Sequence, residues 1–103
     1  MTATAVLPTP VDIIIPVYNE EQAVAAFHEQ LRQVIDALVD YRFKIIYVND
    51  GSTDGTQQAL LDLTAADSRL TVIELSRNFG HQAALTAGLD VSTSPLVISM
   101  DGD

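Results

Sequence analysis

Four short runs of apolar, largely β-branched residues punctuate the chain, at 11–15 (VDIII), 43–48 (FKIIYV), 70–75 (LTVIEL) and 96–100 (LVISM). Each has the length of a strand and is too short for a helix. Between them the period changes. From 20 to 40, Val24, Phe27, Leu31, Val34, Ile35 and Leu38 recur at three- and four-residue steps, which predicts an amphipathic helix with those residues inward. His28 falls in this helix and reads as a surface residue. Residues 55–66 predict a second helix through Ala59, Leu60 and Leu63, with Ser52, Thr53 or Asp54 as N-cap candidates. A third, less periodic helix is expected over 81–91. Residues 1–10, MTATAVLPTP, read as a loose leader.

Strands alternating with helices predict an α/β chain, a Rossmann-like βαβαβαβ succession with a parallel sheet. Runs as continuously apolar as IIIPV and LVISM suit strands covered on both faces, and LVISM reads as a central one. Right-handed crossovers place every strand's carboxyl end on one edge. The segments expected there are the most polar and glycine-rich of the chain: PVYNE (16–20), NDGSTDG (49–55), SRNFGH (76–81) and DGD (101–103). Open α/β sheets bind ligands at that edge. Each segment also has an ordinary reading, as a turn whose glycines allow positive φ and whose Ser, Thr and Asp cap a helix. Their joint position on one edge favours a site.

Composition narrows the ligand. The chain has 103 residues, enough for one domain but small for a complete α/β enzyme, and carries 5 basic against 14 acidic residues, a net charge of −9. That balance disfavours nucleic acid, whose affinity rests on Lys and Arg. With no cysteine, disulfides and thiolate zinc sites are excluded. No apolar run is long enough to span a membrane, and the first basic residue, Arg32, comes too late for a signal peptide. A cytoplasmic setting is expected. Neither G-x-G-x-x-G, G-x-x-x-x-G-K-[ST] nor G-x-S-x-G occurs.

The acidic edge suits a nucleotide diphosphate held through a cation. A carboxylate such as Asp50 can accept from a base N–H. Asp101 and Asp103, one residue apart after a strand, suit Mg²⁺ or Mn²⁺, hard ions that bridge carboxylates to phosphates. Such an ion also offsets the repulsion between an acidic protein and an anionic ligand. Arg77 is the only Lys or Arg in the four segments. His81 lies among them without an assigned role.

In order, IIIPVYNEE, YVNDGSTDGT, LSRNFGHQAALTAGLD and MDGD resemble the family 2 glycosyltransferases of GT-A fold. The third segment resembles their polyprenyl-phosphate branch, the dolichol-phosphate mannosyltransferase and bactoprenol glucosyltransferase type. The resemblance covers Val11 to Asp103 and implies that 11–103 is the N-terminal, nucleotide-sugar-binding half of such a domain. By position, Pro16, Tyr18 and Glu20 match the segment lining the base pocket, and Asp50 the carboxylate that contacts the base. Asp54 shares that loop. Arg77, Asn78 and Gly80 match the loop beside the nucleotide. Asp101 and Asp103 match the D-x-D pair that meets the ribose and the metal-diphosphate. Gly102 stands where this branch often has Ala, a change expected to leave the carboxylates undisturbed, and Ser94-Pro95 where Gly-Asp is common.

The implied reaction is inverting, metal-dependent transfer of a sugar from a UDP- or GDP-sugar to a polyprenyl (dolichyl or undecaprenyl) phosphate. In this family the acceptor-binding part and membrane helices follow D-x-D. The resemblance therefore implies a membrane-associated whole protein whose catalytic domain faces the cytoplasm. Residues 1–103 alone are expected to transfer no sugar and to self-associate through an unpaired sheet edge. The alternatives are a stand-alone α/β binding module with an acidic metal- or partner-binding edge, and a sugar nucleotidyltransferase. The second calls for a glycine-rich, basic loop after the first strand, and PVYNE is neither.

Overall fold

The computed structural model describes residues 7–102. Its elements run β1 (Thr9–Val17), α1 (Val24–Asp36), β2 (Tyr41–Asn49), α2 (Thr56–Ala66), β3 (Leu70–Glu74), α3 (His81–Val91) and β4 (Leu96–Ser99). The strands form one parallel sheet in the order β3-β2-β1-β4. The Rossmann-like α/β succession expected from the hydrophobic pattern is therefore present. Of the expected leader, residues 1–6 lie outside the described residues. Thr9 and Pro10 belong to β1 instead, paired in register with Tyr41 and Arg42.

Side-chain alternation along β1 divides the core between the two faces. Val11, Ile13, Ile15 and Val17 pack with Val24, Leu31, Ile35 and Leu60 on the face of α1 and α2. Ile14 turns to the other face, where it meets Ile46, Val48 and Ala84 of α3. Burying one such isoleucine completely contributes roughly 1.5–3 kcal/mol. At Gly88 the helix lies so close to the sheet that an added Cβ would stand 2.4 Å from Ile14 Cγ2.

Three expectations are corrected. His28 is buried, not on the surface: Val24, His28, Leu31 and Ile35 form the inward stripe of α1, while Val34 is 60% exposed. The histidine is tolerated there because both ring nitrogens are bonded, Nδ1 to the Tyr47 hydroxyl at 2.8 Å and Nε2 to Asp67 Oδ2 at 3.0 Å. Asp67 is in turn held by Arg69, which also reaches Asp36. Second, β4 is an edge strand among the described residues. Third, it is not covered on both faces: Leu96, Val97 and Ile98 are all more than 40% exposed. With only β1 as a strand neighbour among the described residues, much of its apolar surface stays open.

At the amino end of the sheet, Asp12 is fully buried. It accepts from Ser92 Oγ, from the N–H groups of Thr93 and Ser94, and from Ser94 Oγ, with Lys44 Nζ at 3.8 Å. Ser94, noted in the sequence only as a departure from a common pattern, is thus part of a clamp fastening the α3–β4 turn to β1. Burial alone would raise the Asp12 pKa, but the Ser94 and Ser92 hydroxyls and the two amides outweigh it and bring it down to about 2.

Candidate functional site

The chain runs from β1 outward to β2 and β3, then returns across β1 to β4. The sheet's topological switch point therefore lies between β1 and β4. Ile14 C=O accepts from Met100 N–H toward β4, and Val17 C=O accepts from Asp50 N–H toward β2. Successive residues of a parallel strand face alternate neighbours, so Pro16 faces the β4 side, where it has no N–H to donate. There the strands part. A cleft of about 340 Å³ opens, lined by Pro16, Val17, Tyr18, Asp50, Asn78, Gly80, His81, Asp101 and Gly102. All four polar segments contribute.

The NDGSTDG segment ties the edge together. Asn19, at φ 52°, accepts from Thr53 N–H at 2.8 Å, and its own N–H donates to Ser52 Oγ at 2.9 Å. Glu20 N–H donates to Thr56 Oγ1, and Asp54 accepts from the N–H groups of Glu21 and Thr56. The Thr56 hydroxyl, also bonded to Asp54, helps hold that carboxyl below its ordinary pKa. The N-cap of α2 is Gly55, with no side-chain cap, and not the expected Ser52, Thr53 or Asp54. Asp54 braces the helix start from one residue before the cap. On the other side Gly51, at φ +68°, lets two backbones touch: a Cβ there would lie 2.0 Å from the Arg77 carbonyl carbon.

Asp50 is 4% exposed and fixes the third segment. Oδ1 accepts from Phe79 N–H at 2.9 Å, while Oδ2 accepts from Gly80 N–H at 3.1 Å and from Asn78 Nδ2 at 3.3 Å. An ionised carboxylate offers about four acceptor positions, so capacity remains toward the cleft. Gly80, at φ +101°, then turns the chain into α3.

The site candidates divide by position. Pro16, Tyr18, Asp50, Asn78, Gly80 and Asp101 line the cleft together. Glu20 lines a separate indentation with Asn19, Glu21 and Asp54. Arg77 is not among the cleft-lining residues; its guanidinium lies 4.7 Å over the Phe79 ring. Asp103 lies outside the described residues. Gly102 is buried, and a Cβ there would stand 2.6 Å from Val17 Cγ1, so the exchange for Ala is not free here. His81, left unassigned by the sequence, lines the cleft with Nε2 4.0 Å from Asp101 Oδ1. Its place one residue past the segment's last glycine was the available signal.

Among the described residues no cluster of three or more His, Asp or Glu is assembled for a metal. The Asp101 carboxylate is exposed on the cleft wall, where the His81 ring approaches it among the described residues. One or two carboxylates, completed by water and phosphate oxygens, fit the way Mg²⁺ and Mn²⁺ are held at nucleotide sites.

An open parallel α/β sheet with a polar cleft at its switch point defines a class of ligand-binding enzyme folds. The profile of glycosyl transferase family 2 matches residues 12–103, and the chain belongs to that family. It is 37% identical over 93 residues to the bactoprenol glucosyl transferase of Shigella phage SfX, covering 90% of this chain and 30% of that protein. It is 43% identical over 93 residues to the putative glycosyltransferase CsbB of Bacillus subtilis, covering 90% and 28%. The chain thus spans less than a third of the length of these relatives. Among solved structures it resembles the mannosyltransferase PcManGT of Pyrobaculum calidifontis in complex with GDP-Man and Mn²⁺. That match has a TM-score of 0.73 at 28% identity, over 90% of this chain and 27% of that one. Staphylococcus aureus TarS 1–349 in complex with UDP-GlcNAc is similar at a TM-score of 0.74 and 25% identity, over 92% and 27%.

Proposed function

We propose that this chain forms the sugar-donor-binding part of an inverting glycosyltransferase that moves a sugar from a UDP- or GDP-sugar to a polyprenyl phosphate. The observation that carries this reading is the switch-point cleft, walled by residues from all four motif segments. Family membership favours sugar transfer over a stand-alone binding module. The nucleotide sugars bound by PcManGT and TarS support the donor class, and the bactoprenol glucosyl transferase relative supports the lipid acceptor. Such an acceptor would hold the whole protein at the cytoplasmic face of a membrane. No helix among the described residues is long and apolar enough to cross one.

In this reading Tyr18 and Pro16 flank the base, and Asp50 offers it the acceptor capacity its loop contacts leave over. Asp101, with Asp103, would hold Mg²⁺ or Mn²⁺. That ion, when bound, would stabilise the charge on the departing nucleoside diphosphate as a Lewis acid. The acceptor phosphate is already anionic, so no strong general base is required. Glu20 and Arg77 would act from outside the cleft, at its flanking loops.

The test is calorimetric titration of the full-length protein with UDP- and GDP-sugars, with and without Mn²⁺. Binding is expected to need the metal, and Asp101→Ala or Asp103→Ala should weaken the Mn²⁺-dependent binding. Binding that ignores Mn²⁺ and both substitutions would sink the metal assignment; absence of any nucleotide binding would sink the whole reading. The 103-residue chain by itself should show no transfer to lipid phosphate in a radiolabelled-sugar assay.

A further inference from the structure

We infer that His81 is a further nucleotide-contacting residue, its imidazole supplying a hydrogen bond to the diphosphate of a ligand held in the cleft. The inference rests on the donor-site reading above and deepens it. A diphosphate needs N–H or O–H groups, and two of the donors beside Asp50 are already engaged by its carboxylate. The Asn78 amide and the Gly80 N–H both point to Asp50. Arg77 is stacked on Phe79 and does not line the cleft. Asp50 and Asp101 are themselves acceptors. Apart from the Tyr18 hydroxyl, His81 carries the side-chain donor left among the lining residues.

Its placement suits the task. The side chain is 61% exposed, and its Nε2 approaches Asp101 Oδ1 at 4.0 Å. It opens α3, whose first turn holds no acidic residue and whose start is not capped by a side chain, so the local helix field also favours an anion. A second cavity of about 230 Å³, lined by Pro16, His81, Ser99, Met100 and Asp101, adjoins the first. His81 and Asp101 therefore stand on the wall common to both cavities. A ligand with its nucleoside in the larger cavity and its sugar toward the smaller would pass its diphosphate between them. Asp101 serves the cation and His81 the phosphate oxygen.

The experiment compares UDP with UMP, and GDP with GMP, binding to the full-length protein in Mn²⁺ by calorimetry. His81→Ala should lower the preference for diphosphate over monophosphate about tenfold, the worth of one charge-assisted hydrogen bond, with monophosphate affinity unchanged. His81→Gln, which keeps a side-chain N–H, should restore most of that preference. Thermal unfolding of both variants should match the parent, since the side chain is mostly exposed. An unchanged preference in His81→Ala overturns the inference, as does an equal loss of both affinities. If the parent binds nucleotide, either result leaves the donor-site reading standing; no nucleotide binding by the parent overturns both.

Discussion

Asp12, within β1, and Asp50, just past the end of β2, are the two buried aspartates among the described residues, at opposite ends of the sheet, and each fastens a loop. Asp12 gathers the turn before β4, and Asp50 gathers the turn before α3. The difference lies in what remains after the loop is satisfied. Asp12 accepts four hydrogen bonds and has Lys44 beside it, so its acceptor capacity is spent on the protein. Asp50 accepts three and lines the cleft. One carboxylate is a clamp; the other is a clamp that also lines the cleft.

Exchanging each for alanine should separate the two roles and give the largest effects. Asp12→Ala leaves buried donors unpaired and should cost about 3 kcal/mol of stability, read from urea denaturation, with nucleotide affinity kept. Asp50→Ala should cost less, about 1–2 kcal/mol, because its orphaned donors can take water from the cleft. Its nucleotide affinity should fall by roughly a hundredfold, since both the proposed base contact and the loop's position would be lost. Equal loss of affinity in the two variants would show that Asp50 is only another clamp.

Much of this contrast was absent from the one-dimensional pattern. The apolar runs revealed the strands because parallel strands under helices are apolar for most of their length, as Ile13–Ile15 and Ile45–Val48 are. The four polar segments revealed the edge because topology alone assembles it. Individual partners were a different matter. The Asp12 clamp joins residues eighty positions apart, and Ser92 and Ser94 look like ordinary loop serines until β4 pairs with β1. His28 was misread although the 24, 28, 31, 35 spacing places it on the buried stripe. Its burial depends on Tyr47 and Asp67, which come from other elements. Within the site, Asp50 was legible as a carboxylate at a strand end, but not its grip on Phe79 and Gly80. The outward stacking of Arg77 on Phe79 was equally hidden, because rotamers are chosen by neighbours.

Acid should sharpen the comparison at the clamp. The folded pKa of Asp12 lies at about 2, below its ordinary value of 3.8, because hydrogen bonds to the charged form outweigh burial. A depressed carboxylate pKa stabilises the fold above the unfolded value and loses that contribution as pH falls through the folded one. About 2 kcal/mol should therefore fade between roughly pH 4 and pH 2. Asp67, depressed chiefly by Arg69, acts with the same sign, so the measurement must be a difference. The stability gap between parent and Asp12→Asn should narrow across that window. A constant gap would show that the charge on Asp12 contributes nothing beyond its shape.

The smallest effect concerns the far side of the switch point, where β1 is enclosed and β4 is not. Both strands are apolar, yet Ile13, Ile14 and Ile15 are fully or almost fully buried while Leu96, Val97 and Ile98 stay exposed. An apolar edge strand with unpaired backbone groups is a template for another strand. We expect the isolated 103-residue chain to self-associate through β4, seen as a concentration-dependent sedimentation coefficient. A lysine on such an edge disfavours pairing by charge and by the cost of desolvating its ammonium, so Val97→Lys should shift the chain toward monomer. It should leave nucleotide affinity in the full-length protein within about twofold, since Val97 lies outside the cleft. An isolated chain that stays monomeric at high concentration would show that the β4 edge, though open and apolar, is too short to recruit a partner.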